Sequence, residues 1–442
     1  MHQMIKGGTV ITMDPKQPVL EDGAVVWNEG RIVWIGPAPL IPAEFSGIET
    51  MHAPGKFIFP GFVNLHTHVT LSILRGLGDD TGMAPAYSPN VPQGVFLSPY
   101  ECYLFALLGS VEALKFGSTC IVDNYIHEEE TAKAMAELGV RAVISERLHD
   151  ADLFKIPQGI YEFSDERGDQ LLQKNLDLIG KWNHNHQSRI TCRLGPHAPD
   201  TCSTNFLQRV RKAASDENVG LVIHLAQGQR EIQEIKSRCG KTPVSYLAEL
   251  GLLAPDMIAG HCILITDEDV EILAQSGVHI SHQSYSNAKG GMISPINRFL
   301  QKKINIGLGT DNMAGDMIEV MRMAVCVGRI YMNDPVALRA QDVLEMGTMG
   351  GARALGMENE IGSLEVGKKA DMLVVDFNKP HLYPVMDPVA NLVYNGQGND
   401  IDSVFVDGEC LVRGGKCLKI DEHRLLAEVQ EVAKTLWEKS RN

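Results

Sequence analysis

Residues 57 to 68 read Phe-Ile-Phe-Pro-Gly-Phe-Val-Asn-Leu-His-Thr-His, an apolar run that stops at two histidines one residue apart. The run is short and rich in aromatic and β-branched residues, which favours a buried strand over a helix. Alternate residues of a strand point to the same side, so His66 and His68 share one face and can converge on a single ion. Taken alone, the pair is equally compatible with two hydrogen-bonded polar residues at the mouth of a strand.

Outward from this stretch the same pattern recurs. STCIVDN, VRAVISE, RITCRLGPHA, VGLVIHLAQ, DMIAGHCILI, GVHISHQSYSN and INIGLGTDN are short apolar runs, separated by helix-compatible segments such as LSPYECYLFALLGSVEALKFG. Eight strands alternating with helices predict the α/β class, as a (β/α)8 TIM-type barrel over residues 58–358. The flanks differ. Residues 1–57 contain alternating strands broken by Gly and Asp (MIKGGTVITM, GAVVWNEGRIVWIG), and residues 359–442 contain the matching ADMLVVDF, SVFVDGECLVRGG and KCLKI. The two ends are expected to build one small β-sandwich, followed by a terminal helix, DEHRLLAEVQEVAKTLWEKS. TGMAPAYSPNVPQGVFLSP, rich in Pro and Gly, reads as a long loop over the barrel mouth that could bring Tyr87, Ser88 and Asn90 to a site.

Composition narrows the partners. A formal net charge of −15 argues against nucleic acid or an anionic membrane surface, either of which needs a basic patch. Nine cysteines without a CxxC pair or a regular framework read as reduced thiols, hence a cytoplasmic protein. Neither a signal peptide nor an uninterrupted run of about 18 apolar residues is found. Small molecules are the expected ligands.

Polar residues gather at the C-terminal ends of the predicted strands, the face on which barrel enzymes carry their sites. His66 and His68 end the first strand, His224 lies on the fifth, His261 on the sixth, and Asp311 follows the eighth. Imidazoles with one carboxylate suit Zn²⁺ or a similar divalent ion, and packing alone does not require such residues on four separate strands.

Pro60-Gly-Phe-Val-Asn-Leu-His-Thr-His68, Pro196-His-Ala-Pro199, His224, Gly260-His261 and Gly309-Thr-Asp311 together resemble the amidohydrolase superfamily. Leu74-Arg-Gly-Leu77, Asp79-Asp80 and the segment from Ile361 to Asp371 extend the resemblance over almost the whole chain. The pattern is most similar to the triazine hydrolases and the methylthioadenosine and S-adenosylhomocysteine deaminases. The resemblance implies that His66, His68, His224 and Asp311 bind one divalent metal, zinc first, with iron or manganese admissible. His261 would contact the water that the metal activates and, with Asp311, take its proton. His197, Arg147 and His282 would hold a small heterocyclic substrate, and the chain would form a homo-oligomer. Related two-metal enzymes bridge their ions with a carboxylated lysine on strand four. Here that strand reads RLGPHAP, so a single ion is expected.

One position departs from the pattern. In the deaminases a glutamate three residues after the strand-five histidine shuttles a proton to the ring, and this chain has His224-Leu-Ala-Gln227. An amide can bind the ring by hydrogen bonds but cannot transfer a proton, and such general acid catalysis is worth about 10²- to 10⁴-fold. Glu231, four residues further, is not expected to substitute. Three functions follow: an aminohydrolase (deaminase) acting on an aminated purine, pyrimidine or s-triazine; a hydrolase of a carbon-halogen bond or of a urea or carbamate carbon-nitrogen bond; or a heterocycle-binding member without turnover.

Overall fold

The computed structural model describes residues 2–80, 96–183 and 189–441. Tyr87, Ser88 and Asn90 lie outside the described residues. Eight parallel strands alternate with helices: β1 Phe62–Thr67, β2 Ser118–Tyr125, β3 Arg141–Leu148, β4 Ile190–Cys192 with a short continuation at Gly195–Pro196, β5 Leu221–Leu225, β6 Met257–His261, β7 His279–His282 and β8 Ile306–Leu308. Their pairings form two arcs, β1 to β4 and β5 to β8. The seams are closed by backbone bonds. Leu194 N–H donates to Gly220 O at 3.1 Å and Val222 N–H to Leu194 O at 3.0 Å. At the other seam Asp311 N–H donates to His66 O at 2.9 Å and His68 N–H to Asp311 O at 3.1 Å. The result is a closed β/α barrel, as the β-branched runs imply. Leu65, Val122, Val143, Val222 and Ile258 fill its interior, one from each of five strands.

The helices begin where local chemistry dictates. At Pro99–Lys115, Ser98 Oγ accepts the Glu101 N–H while the Glu101 carboxylate accepts the Ser98 N–H, a reciprocal cap with proline in the first turn. Among the described residues no helix is long and apolar enough to cross a membrane. All nine cysteines are free thiols.

Strands from both chain ends join one nine-stranded sheet. Lys56–Pro60 lies at its centre, parallel to Gln3–Ile11 and antiparallel to Met372–Asp376, with Phe59 opposite Leu373. Trp27 on Val19–Asn28 and Phe405 on Ile401–Val406 are separated by three intervening strands, a span of roughly 19 Å in a flat sheet. Their rings stand 5.6 Å apart, so the sheet curls back on itself and its halves enclose a shared core with Ile5, Val25 and Val374. This is the expected sandwich, made from one continuous sheet. The chain leaves it through Gly61, where a Cβ would stand 2.0 Å from Thr119 Oγ1, and enters β1 directly. Arg141, at the start of β3, ties the two parts together through Asp371 and Asp407, at 3.2 and 2.7 Å. The last helix, Glu422–Arg441, returns to the barrel mouth, where Trp437 Nε1–H donates to Ile73 O at 2.9 Å.

Candidate metal centre

β1 delivers His66 and, just past its end, His68; β5 delivers His224, β6 His261, and the residue bridging β8 to β1 is Asp311. All five side chains are buried. The donor atoms of His66, His68 and His224 lie within 4.8 Å of one another, as do those of His66, His261 and Asp311. His261 and Asp311 hold left-handed backbone conformations, at φ 68° and 66°. Strain of this kind persists only where surrounding bonds impose it. Gln283 Oε1 accepts the His261 N–H at 2.7 Å, and the Asp311 N–H is engaged at the barrel seam.

The hydrogen bonds assign the tautomers. His68 Nδ1 donates to Asn124 O at 2.5 Å, and His224 Nδ1 donates to His197 O at 2.8 Å. In the neutral form each ring so bonded keeps its lone pair on Nε2, and the two Nε2 atoms face each other at 3.2 Å. Two lone pairs at that distance repel unless a cation lies between them, and nitrogens bonded to one ion at about 2.0–2.1 Å take such a spacing. His66 Nε2 is buried without a hydrogen-bond partner. Asp311 Oδ1 stands 3.5 Å from His68 Nε2 and 3.8 Å from His66 Nε2, while Ser286 Oγ donates to Asp311 Oδ2 at 2.5 Å. The residues fit a divalent ion held by neutral imidazoles and one carboxylate.

Burial, reinforced by the neighbouring imidazoles, holds His66 and His224 well below the ordinary histidine range, and burial likewise lowers His261. Neutral rings are what metal ligation requires. His261 Nδ1 donates to Asn287 Oδ1 at 2.9 Å, and its Nε2 is buried with no partner.

Of the substrate candidates, His197 adjoins His224, with ring centroids 5.0 Å apart, and its Nδ1 meets Thr201 Oγ1 at 3.1 Å. Arg147 is buried at the end of β3, its guanidinium 5.0 Å over the Tyr125 ring, and among the described residues it makes no ion pair. His282, at the end of β7, is buried with Nδ1 unpartnered. Gln227 is half-buried in the turn after β5, and its main-chain N–H donates to Glu231 Oε2 at 2.8 Å. Glu231 Oε1 accepts the Ala226 N–H at 2.7 Å, so both carboxyl oxygens clamp this turn. Gln283, Ser286, Asn287 and the Asn124 carbonyl had no assigned role in the sequence. Only the Ser-Asn pair, four and five residues after His282, offered a local signal for two of them.

A consequence for stability follows from two histidines on the strand ends. Burial lowers His149 to about 3 and His282 to about 4, against roughly 6.5 in an unfolded chain. The folded values lie below the unfolded one, so their contribution is complete above about pH 6.5 and is lost as pH falls towards 4. Each proton taken up only by the unfolded chain costs about 1.4 kcal/mol per pH unit. Urea midpoints of the metal-free protein should therefore fall steeply between pH 6.5 and 4.5, and His149→Asn should flatten that slope. An unchanged slope in the variant would remove His149 from this account.

A closed β/α barrel with imidazoles and a carboxylate converging at its strand ends defines a divalent-metal barrel of the hydrolase type. Its sequence agrees: residues 57–411 match the model of the Amidohydrolase family, and the chain belongs to that family. It is 35% identical over 439 residues to a 5'-deoxyadenosine deaminase of Methanosarcina mazei, covering 98% of each chain. It is 36% identical to a 5-methylthioadenosine/S-adenosylhomocysteine deaminase of Desulforudis audaxviator, covering 94% of this chain and 95% of that one. Among solved structures, an adenosine deaminase from Xanthomonas campestris with bound zinc superposes with a TM-score of 0.89 at 26% identity, over 98% of both chains. A zinc complex of the atrazine chlorohydrolase of Arthrobacter aurescens shares the fold, with a TM-score of 0.85 at 23% identity, over 98% of this chain and 100% of that one.

Proposed function

We propose that this protein is a mononuclear, zinc-dependent aminohydrolase that exchanges the amino group of an adenosine-type heterocycle for oxygen and releases ammonia. The observation that carries this is the approach of His68 Nε2 and His224 Nε2 to 3.2 Å beside His66 and Asp311. His66, His68, His224 and Asp311 hold the ion, which when bound supplies a water acidified to a pKa of about 7. His261, neutral and with Nδ1–H committed to Asn287, keeps Nε2 free to receive the water's proton. Ser286 fixes Asp311 Oδ2, leaving Oδ1 towards the imidazoles. Arg147, His197 and His282 bind the polar edge of the substrate. The relatives' substrates and the zinc of the Xanthomonas campestris enzyme support the substrate class and the ion.

Gln227 favours a second chemistry. A glutamine can accept from or donate to the ring but cannot protonate it, which suits a leaving group that departs without ring protonation, such as halide, or the carbon-nitrogen bond of a urea or carbamate. The test is to load the protein with Zn²⁺ and follow ammonia from adenosine, 5'-deoxyadenosine, aminopyrimidines and aminotriazines, beside chloride and amine release from chlorotriazines, ureas and carbamates. Ammonia from the nucleosides is the expected result. Chloride or amine release without ammonia would establish the second chemistry instead, and no turnover of any would leave a binding protein.

A further inference from the structure

Behind the metal centre lies a pair of carboxyls that no step above uses. Asp123, on β2, is fully buried. Its Oδ2 accepts the Thr67 hydroxyl at 2.6 Å and the Val69 N–H at 2.7 Å, the residues on either side of His68. The next residue, Asn124, offers the carbonyl that fixes the His68 tautomer. The His-Thr-His turn is thus gripped from β2 at three points. Glu128, in the first turn of the helix Glu128–Leu138, is also fully buried, and its carboxyl lies against that of Asp123.

Asp123 Oδ1 and Glu128 Oε2 are both buried without a hydrogen-bond partner, and one proton held between them satisfies both. Burial raises both carboxyls, Glu128 the further with the Asp123 and Glu146 charges beside it, while two donors to Asp123 Oδ2 favour the ionised form there, so the shared proton sits on Glu128. Glu146 is already occupied, accepting the main-chain N–H groups of His127 and Glu128 at 3.3 and 3.0 Å.

We infer that Asp123 and Glu128 are a positioning pair for the metal centre: Glu128 donates to Asp123, and the ionised Asp123 locks the turn carrying His68 and places one negative charge behind the ion, an inference that rests on the metal centre proposed above. A divalent ion with neutral imidazoles and the Asp311 carboxylate keeps one net positive charge in a buried site, and Asp123 offsets it. Partners of this kind raise metal affinity by orienting ligands and balancing charge.

The test reads zinc affinity by chelator competition, the visible absorption of the Co²⁺-substituted protein, and the melting temperature of the metal-free protein. Asp123→Asn keeps the volume and removes the charge. It should bind zinc about 10- to 100-fold more weakly and shift the Co²⁺ bands. Glu128→Gln, whose amide still donates to Asp123, should keep the affinity of the unaltered protein. Zinc binding undiminished in Asp123→Asn would overturn the inference, as would Glu128→Gln losing as much affinity as Asp123→Asn. If Asp123→Asn does not fold, Thr67→Val removes one of the bonds to Asp123 Oδ2. Weaker zinc binding by that variant supports the pair, and unchanged binding overturns it. Failure of the unaltered protein to take up zinc or cobalt would instead overturn the metal centre itself.

Discussion

Asp311→Asn should reduce kcat/KM by about 10⁴-fold or more, because under the proposed function one change removes both a metal ligand and a proton acceptor. The carboxylate is the only anionic member of the donor set, and its Oδ1 stands between His66 and His68. An asparagine can still receive the Ser286 hydroxyl through its carbonyl oxygen, so the fold should survive while the charge is lost. Metal content by atomic absorption, measured alongside turnover, separates the two roles. Depleted metal with lost activity assigns Asp311 mainly to ligation. Full metal occupancy with lost activity assigns it mainly to proton transfer. A variant that retains both metal and turnover would refute the proposed centre.

The second large effect is a gain. Gln227→Glu should raise ammonia release from adenosine-type substrates by about 10²- to 10⁴-fold, the worth of a positioned general acid. The turn carrying residue 227 is fixed through main-chain bonds to Glu231, so the substitution leaves its anchoring intact. Glu231 is committed to holding this turn, its two oxygens accepting the Ala226 and Gln227 N–H groups. If the unaltered protein releases ammonia rapidly and the variant adds nothing, another group or a water moves the proton. If only the variant releases ammonia, the native chemistry uses a different leaving group.

Much of this candidate site is legible in the sequence because its proposed ligands lie at strand ends, where a short β-branched run marks the strand and the polar residue after it marks the mouth. His66, His68, His224, His261 and Asp311 stand out for that reason, and the barrel follows from the same eight runs. The shared origin of the small sheet is also readable, since its two halves have the same strand composition and turns. The supporting bonds are not readable, because they join residues whose types have ordinary local explanations. Glu128 begins a helix, where an acidic residue is expected on dipole grounds, and nothing local shows that it is fully buried against Asp123. Asn124 acts through its carbonyl, which every residue has. Asn287 and Gln283 reach His261 from the neighbouring strand's loop, a contact set by barrel closure rather than by spacing.

The central strand of the small sheet, Lys56–Pro60, is held between Gln3–Ile11 and Met372–Asp376, and it runs into the strand that ends at His66 and His68. A chain emerging from the ribosome therefore carries the first two proposed metal ligands long before the strand that braces the segment before them exists. Asp311 arrives about four-fifths of the way through that interval, and the bracing strand more than 60 residues later still. Completion of the centre is consequently a late event in synthesis. Until then Lys56–Pro60 lacks its Met372–Asp376 neighbour, so the small sheet closes, and the segment leading into the first barrel strand is braced, only late in synthesis.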